Sequence, residues 1–379
     1  MPLTAYSTSA EKESDVGQVL RRLSAQFGEI ITDVEDVPEP WRDFIRQDLQ
    51  CPCCFVIGAE LVKEAVSKAT KRPVRQACFR FGNPKHREHC DFDSSETANS
   101  VPENLVSFND SKSNLTRVIR ELVGTGIELG LFSQWSTRDM REWFFNKKIQ
   151  SMFVVTMDPR FPGLINDLHQ ELYRARRGLP EGVTLTAEIA ALPDFSLRAE
   201  VARQQLLRHP EYREFMDAFD RRPFYFFGVV DRMTSMARRY QGRPVFDPST
   251  LEAEYKKTCD LSDFIANNYA PLKDSKPKDV FSESVLAFAA LLLFVRGWDM
   301  DLAIADFVKI AASAGYSDQD LGNVMGLNPF HDYRAWKTLK QAQDFNIVVH
   351  EYLDLKAERR AIDAEIRLKF GLPPAQAPA

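Results

Sequence analysis

The sequence predicts an α+β protein that is mainly helical, with a small N-terminal cysteine-rich module followed by a helical domain or a pair of domains. Two observations predict this architecture. Five of the six cysteines fall between Cys51 and Cys90, in a stretch with only short strand-like segments. Beyond residue 112, apolar residues recur mostly at the spacing of amphipathic helices. With 379 residues, of which 44% are hydrophobic, the chain is long enough to form two or three cores.

The first predicted helix covers residues 14–28, because five apolar residues share one helical face: Val16, Val19, Leu20, Leu23 and Phe27. Ser14 is placed to cap it and Gly28 to end it. The residues before this helix are interpreted as a polar tail. Residues 29–37, EIITDVEDV, favour a strand that leads toward the cysteines.

The remaining elements divide the chain into five consecutive regions. Strands are indicated at MFVVTMD and FYFFGVV, and a capping box at Ser136 and Asp139. Helices are predicted near residues 162–177, 196–208, 211–220, 249–258, 279–296, 301–314, 331–345 and 347–370. The expected regions are an N-terminal helix with its cysteine module (1–95), a linker (96–112), a mixed, mainly helical domain (113–270), a C-terminal helical region (279–370) and a disordered tail (371–379).

The cysteine segment predicts a structural zinc site. Zinc prefers four thiolate or imidazole ligands, and two often come from a C-x2-C turn such as the one in CPCC. Cys51 and Cys54 would be the first pair, with Cys90 as the third ligand. Cys78 and His86 compete for the fourth place, and His89 is a further candidate. A closed site of this kind is structural, and no HExxH pattern suggests a catalytic metal.

The order strand, CPCC, basic spacer and RQACFRFGNPKHREHC resembles the N-terminal zinc-ribbon module of CoiA-like competence-associated proteins. The resemblance covers about residues 28–95. The family's H-F-x-H element would correspond to Cys78-Phe79-Arg80-Phe81, so Cys78 replaces its first histidine and Phe81 its second. In that family the module precedes a restriction-endonuclease-like nuclease domain, which the resemblance therefore implies.

A magnesium-dependent nuclease of that class requires an Asp and an acidic-x-Lys on adjacent strands. The nearest match is Asp231 with Glu254 and Lys256. However, PSTLEAEYKKTC has a capping serine and strong helix formers, which favour an exposed helix. We therefore assign no catalytic residue and expect a protein that is not an enzyme, with a divergent nuclease as the third hypothesis.

Basic residues around the cysteines predict contact with nucleic acid. Residues 51–90 carry three acidic and eight basic side chains, although the whole chain has a net charge of -5. The candidate phosphate ligands are Arg75, Arg80, Lys85 and Arg87. Phe79 and Phe81 could stack on bases or form the module's core. The leading hypothesis is a zinc-containing, nucleic-acid-associated protein of bacterial or mobile-element type, and the alternative is a scaffold or adaptor that binds proteins.

The N-terminal residues show no secretory signal pattern, so we expect a cytoplasmic protein with reduced thiols. No apolar run is long enough to cross a bilayer; VLAFAALLLFV is interpreted as a buried helix. The expected partners are nucleic acid or protein, without a membrane.

Overall fold

The computed structural model describes residues 1–66, 73–87, 90, 92, 105–107, 114–218, 228–274, 283–313, 315, 321, 325–346, 348–349 and 354–373. The chain forms two compact units, each built from two distant segments. The first unit contains Met1–Ser151 and Ser249–His331, and the second contains Met152–Pro248 and Asp332–Ala379. The regions predicted from the sequence are consecutive instead, and none of them combines two distant segments.

The first unit contains the N-terminal elements and a helical part. Its N-terminal elements are β1 (Thr4–Ser7), β2 (Lys12–Asp15), α1 (Val16–Phe27), α2 (Glu39–Asp48), β3 (Leu49–Gln50), β4 (Ala59–Val62), β5 (Ala65–Val66), β6 (Pro73–Arg75) and β7 (Cys78–Phe81). They are followed by β8 (Leu105–Ser107), α3 (Asn114–Glu128) and α4 (Gln134–Gln150). A mainly α fold with a few small antiparallel sheets is thus confirmed.

The N-terminal residues are a buried hairpin, so their interpretation as a polar tail was wrong. β1 pairs with β2 and with β3 in an antiparallel sheet ordered β2-β1-β3. Ala5 and Tyr6 are buried in β1. The polar side chains escaped prediction because their partners lie far away in sequence. Thr8 Oγ1 and the Ser9 amide, for example, donate to Asp48 at 2.9 and 2.7 Å.

Asp48 joins this hairpin to the end of α2. Burial by itself would raise its pKa, but hydrogen bonds from the hydroxyl of Ser7, the amide of Ser9 and the hydroxyl of Thr8 outweigh it and hold the pKa below its ordinary value of 3.8. The carboxylate form of Asp48 therefore stabilises the contact between the hairpin and α2.

Helix α1 is confirmed, but its cap lies one residue later than predicted. The side chain of Asp15, rather than that of Ser14, accepts from the Gln18 amide, and Gln18 reciprocates in a capping box. Gly28 ends the helix with a φ of 74°. Helix α4 begins at the Ser133 cap with Ser136 as the reciprocal partner, so the capping box predicted at Ser136 and Asp139 was wrong. Residues 29–37 do not form a strand, although Ile31, Val34 and Val37 are buried.

The helical part of the first unit surrounds one apolar helix. A 3-10 turn, Pro248–Leu251, is followed by α10 (Glu252–Asn268), α11 (Ala270–Asp274), α12 (Glu283–Val295) and α13 (Met300–Ala311). Helix α12 is buried from Ser284 to Leu293, in agreement with its continuous apolar sequence. It contacts α3, α10 and α13. A short strand, β11 (Met325–Leu327), pairs with β8 and so joins distant parts of this unit.

The second unit is a helical domain with one small antiparallel ladder. Its elements are β9 (Met152–Val154), α5 (Phe161–Ala175), α6 (Ala187–Ala190), α7 (Leu197–Arg208), α8 (Pro210–Ala218), α9 (Val229–Tyr240), β10 (Pro244–Phe246), α14 (Tyr333–Asp344) and α15 (Leu355–Phe370). β9 pairs with β10, which confirms a strand in MFVVTMD. The core lies between α5, α7, α9 and α14 and includes Ile165, Leu206 and Met233.

Three predicted segments lie wholly or partly outside the described residues. FYFFGVV is described only from Gly228, and its last two valines begin α9. Of the predicted linker 96–112, only residues 105–107 are described, and they form β8. Residues 374–379 of the predicted tail are not described. Among the helices that are described, none is long and apolar enough to span a membrane.

Candidate metal centre

The first pair of candidate ligands lies in a tight turn that follows β3. The Cys51 amide donates to the carbonyl of Val56 at 2.8 Å, and the Phe55 amide donates to the carbonyl of Cys51 at 3.0 Å. Phe55 has a φ of 63°, which reverses the chain direction within the turn. These bonds place Cys51 and Cys54 on the same side of the turn. The amide of Cys53 also donates to Cys51 Sγ at 3.5 Å, which orients that sulfur.

The second pair of candidate ligands, His86 and Cys90, lies on the loop after β7. Gly58, which follows the CPCC turn, allows this loop to approach the turn closely. A Cβ atom on Gly58 would lie 2.4 Å from the Asn83 carbonyl oxygen, and Gly58 has a φ of 91°. Only glycine fits both conditions without a shift of the backbone. The loop then reaches His86, whose ring lies edge-on to Phe81 with centroids 5.7 Å apart, and Cys90, whose amide donates to the carbonyl of Arg87.

Cys51, Cys54, His86 and Cys90 form one cluster whose ligand atoms all lie within 4.8 Å of one another. His86 Nδ1 lies 3.3 Å from Cys54 Sγ and 3.4 Å from Cys90 Sγ. The sulfurs of Cys51 and Cys90 are 3.9 Å apart. In a tetrahedral zinc site, the usual bond lengths place two sulfurs about 3.8 Å apart and sulfur and nitrogen about 3.5 Å apart. The four side chains therefore could hold a metal ion.

The cluster is shielded from water, and this changes the acidity of its thiols. Cys51 and Cys54 are fully buried and Cys90 is 5% exposed. Burial raises the pKa of Cys51, and hydrogen bonding to Cys51 and neighbouring sulfurs raises that of Cys90. Hydrogen bonds from Cys51 and Cys90, with a smaller one from His86, lower the pKa of Cys54. A bound cation would favour the thiolate form of all three sulfurs.

The structure brings together the side chains of one of the two predicted ligand sets. His86 joins Cys51, Cys54 and Cys90, whereas Cys78 is not one of the four. Cys78 begins β7, opposite Val62 of β4, and its buried side chain belongs to this two-stranded ladder. Cys78 was a candidate because of its spacing from the other cysteines, but spacing does not tell which side chains a strand directs toward the site. His89 lies outside the described residues. All six cysteines are free thiols.

A buried ion pair contacts the backbone of the CPCC turn. Arg141 of α4 donates through Nη1 to the Pro52 carbonyl at 2.9 Å and through Nη2 to Glu13 at 2.9 Å. Both charged side chains are 1% exposed. Thr4 Oγ1 donates to the other carboxylate oxygen of Glu13. Arg141, Glu13 and Gly58 are not predicted from the sequence, because no local pattern links them to the cysteines.

The four basic residues predicted to contact nucleic acid differ in whether their charges are already paired within the protein. Arg80 donates to Glu60 across the β4–β7 ladder, so its charge is already paired. Lys85 and Arg87 are exposed, and neither forms an ion pair with any residue that the structure describes. The side chain of Arg75 lies outside the described part. Phe79 and Phe81 are buried in the module's core, which excludes them from stacking on bases.

The residues of the nuclease hypothesis do not occupy strands. Asp231 lies in the first turn of α9 in the second unit. Glu254 and Lys256 lie on α10 in the first unit, in the helix that the sequence favoured over a strand. The pair of adjacent strands that this nuclease class needs is therefore not formed by these residues.

Comparison of the chain with protein-family models, with curated proteins and with solved structures finds no match. The chemistry of the cluster must therefore be inferred from its own ligands and their surroundings.

Proposed function

We propose that the chain binds one structural Zn²⁺ through Cys51, Cys54, His86 and Cys90, and that the zinc-ordered loop contacts the phosphate backbone of nucleic acid. The observation that supports this most directly is the convergence of four ligand atoms within 4.8 Å. Three thiols and one imidazole suit Zn²⁺ better than Mg²⁺ or Ca²⁺, which prefer oxygen ligands. Reduced thiols also fit the cytoplasmic location expected from the sequence.

The zinc would have a structural role because the protein supplies all four ligands. A catalytic zinc usually keeps one position open for water, whereas a tetrahedral ion held by these four side chains would have none. Cys51 and Cys54 lie on one loop, and His86 and Cys90 lie on another that begins about thirty residues later. The ion would therefore join two loops of the module and would stabilise its folded form.

The nucleic-acid part of the proposal depends on the loop that carries His86. Lys85 and Arg87 flank this ligand directly, and both side chains are exposed. Zinc would fix the backbone between them and so hold two cations at a set spacing. Each phosphate contact releases counterions and contributes about -0.9 to the slope of log affinity against log salt. Two contacts predict a slope of about -2, to which Arg75 would add if it also reaches the phosphates.

The zinc test is metal analysis of the purified, untagged chain, together with single substitutions. We expect one zinc per chain in the wild type and in Cys78→Ser, a matched control with a buried cysteine outside the cluster. Cys54→Ser should lose the metal or bind it much more weakly. A wild-type chain without zinc, or a Cys78→Ser chain that loses it, would refute this ligand set.

The nucleic-acid test is binding of the full chain to a labelled single strand and a labelled duplex across a salt series. Affinity should fall steeply with salt and should be lost in Lys85→Glu/Arg87→Glu. Arg80→Glu is a matched control because it reverses one charge in the same module, but at a cation already paired with Glu60. Its effect should be smaller. Absence of binding at low salt in zinc-loaded protein would exclude this part of the proposal while leaving the zinc site intact.

A protein-binding adaptor is the second candidate, and one surface feature favours it. Trp135 is 50% exposed, and the guanidinium of Arg138 lies 5.0 Å from its ring centroid. The same guanidinium lies 4.4 Å from the ring centroids of Tyr6 and Phe55. Tryptophan and arginine are enriched where proteins bind each other. The adaptor hypothesis predicts no binding in the salt series.

A further inference from the structure

The second unit contains a cavity of about 660 Å³ that the zinc proposal does not use. It opens between α5, α7, α15 and the connecting segment 179–185. This volume is in the range of pockets that hold small molecules, about 300–1,000 Å³. The cavity lies wholly within one compact unit, so its shape depends only on the packing of that unit.

Apolar side chains form much of its wall. Each of the three helices and the connecting segment contributes, through Leu172, Leu179, Leu185, Leu206, Ile366 and Phe370. Leu185, Leu206 and Ile366 are buried and belong to the cores behind the wall. Leu207, which also lines the cavity, is 49% exposed. An apolar chain placed here would remove this surface from water.

Most of the charged side chains in the cavity wall belong to ion pairs within this unit. Arg203 donates to the fully buried Glu200 and is therefore neutralised. The wall also contains two acidic residues, and each forms an ion pair with an arginine. Glu181 lies 3.6 Å from Arg213, and Glu365 lies 2.6 Å from Arg208.

Two cations in the wall remain. Arg176 and Lys369 are exposed, and neither forms an ion pair within the part of the chain that the structure describes. The ammonium of Lys369 lies 5.3 Å from the ring centroid of Phe370, another wall residue, so this charge borders the apolar surface directly. An uncompensated positive charge next to an apolar wall is complementary to a molecule with a negative end and an apolar body.

We propose that this cavity binds a single-chain amphiphile with an anionic head group, such as a long-chain carboxylate. The apolar chain would contact Leu172, Leu206 and Ile366 between the helices. The carboxylate would accept hydrogen bonds from Arg176 and Lys369 at the opening. Each end of the ligand thus has a separate set of contacts, and the two can be tested separately.

The test is calorimetric titration of the full chain with dodecanoate below its micellar concentration. We expect saturable binding of one molecule per chain. Acetate has the same head group without the chain, and dodecyltrimethylammonium has the same chain with a positive head group. Neither should bind measurably at the concentrations that saturate the site with dodecanoate.

Charge-reversal variants test the head-group contacts at exposed positions, where folding should be preserved. Arg176→Glu and Lys369→Glu should each weaken dodecanoate binding at least about tenfold, the loss expected for a hydrogen bond to a charged group. Arg177→Glu is the matched control because Arg177 is the next residue, is exposed and faces the ring of Tyr173 instead of the cavity. Its affinity should remain within about twofold of the wild-type value.

A variant that fills the cavity tests the chain contacts. Ala175 lies in the wall on α5 and is half-buried, so Ala175→Trp should occupy the space and abolish binding. Far-UV circular dichroism would verify that each variant is folded. Failure of dodecanoate to bind, equal binding of dodecyltrimethylammonium, or unchanged affinity in both Arg176→Glu and Lys369→Glu would overturn the proposal.

Discussion

Replacement of Arg141 by methionine should destabilise the first unit severely. The substitution removes the buried guanidinium that pairs with the Glu13 carboxylate, which is 1% exposed and also accepts a hydrogen bond from Thr4. Loss of one partner from a buried ion pair costs about 3–5 kcal/mol. The hydrogen bond to the Pro52 carbonyl adds about 1 kcal/mol. The expected total, about 4–6 kcal/mol, is a large part of the stability of an ordinary domain.

Urea unfolding followed by tryptophan fluorescence is a suitable assay. Four of the five tryptophans, Trp41, Trp135, Trp143 and Trp298, belong to the first unit, so the signal reports mainly that unit. Arg46→Met is the matched control. Arg46 also pairs with two carboxylates of the first unit, but its side chain is 42% exposed. Exposed pairs contribute about 0–1 kcal/mol, so this variant should remain close to the wild type.

A double variant separates the lost charge from the lost packing. Glu13→Gln/Arg141→Met removes both charges, so it should be more stable than Arg141→Met alone, by up to about 3 kcal/mol. Arg141→Lys retains a positive charge and provides a milder change if the methionine variant does not fold. The reasoning would be refuted if Arg141→Met unfolded at the same urea concentration as Arg46→Met, or if the double variant were no more stable than Arg141→Met.

Three further predictions concern the module around the cluster. Gly58→Ala should lower the free energy of unfolding by more than about 1 kcal/mol and weaken zinc binding, because its Cβ would collide with the loop that carries His86. Gly28→Ala is the control: Gly28 has a similar φ but no atom within 4 Å of its Cβ position, so zinc binding should be unchanged. Asp48→Asn should cost about 1–3 kcal/mol near neutral pH. The folded-state pKa of Asp48 is lowered, so its contribution is complete above the ordinary value of 3.8, declines as the pH falls below that value and is lost only below the folded-state pKa. Urea unfolding should therefore show a smaller difference from wild type at pH 3 than at pH 6. Removal of zinc with a chelator should speed trypsin cleavage after Lys85 more than cleavage in the second unit; equal acceleration throughout, measured by mass spectrometry of the fragments, would contradict a local role for the metal.

The sequence by itself determined the elements whose pattern is local. Helix α12 was predicted because its run of apolar residues is continuous, and α1 because its apolar face and terminal glycine lie within fifteen residues. The cysteine spacing was enough to place Cys51, Cys54 and Cys90 in one site. Thiol ligands and a tight turn leave a recognisable pattern because both act over a few residues.

Only the tertiary structure decided the features that depend on distant contacts. His86 lies in the cluster with Cys51, Cys54 and Cys90, whereas Cys78, which the spacing allowed equally, lies in the ladder that β7 forms with β4. Ser7 of β1 and Glu13 of β2 are buried because Asp48 of α2 and Arg141 of α4 provide their partners. Each unit combines two segments that are distant in sequence, with boundaries after residues 151, 248 and 331, and no local signal marks these boundaries. The physical reason is common to all three: hydrogen bonds, ion pairs and packing stabilise whichever residues the fold brings together, regardless of their separation along the chain.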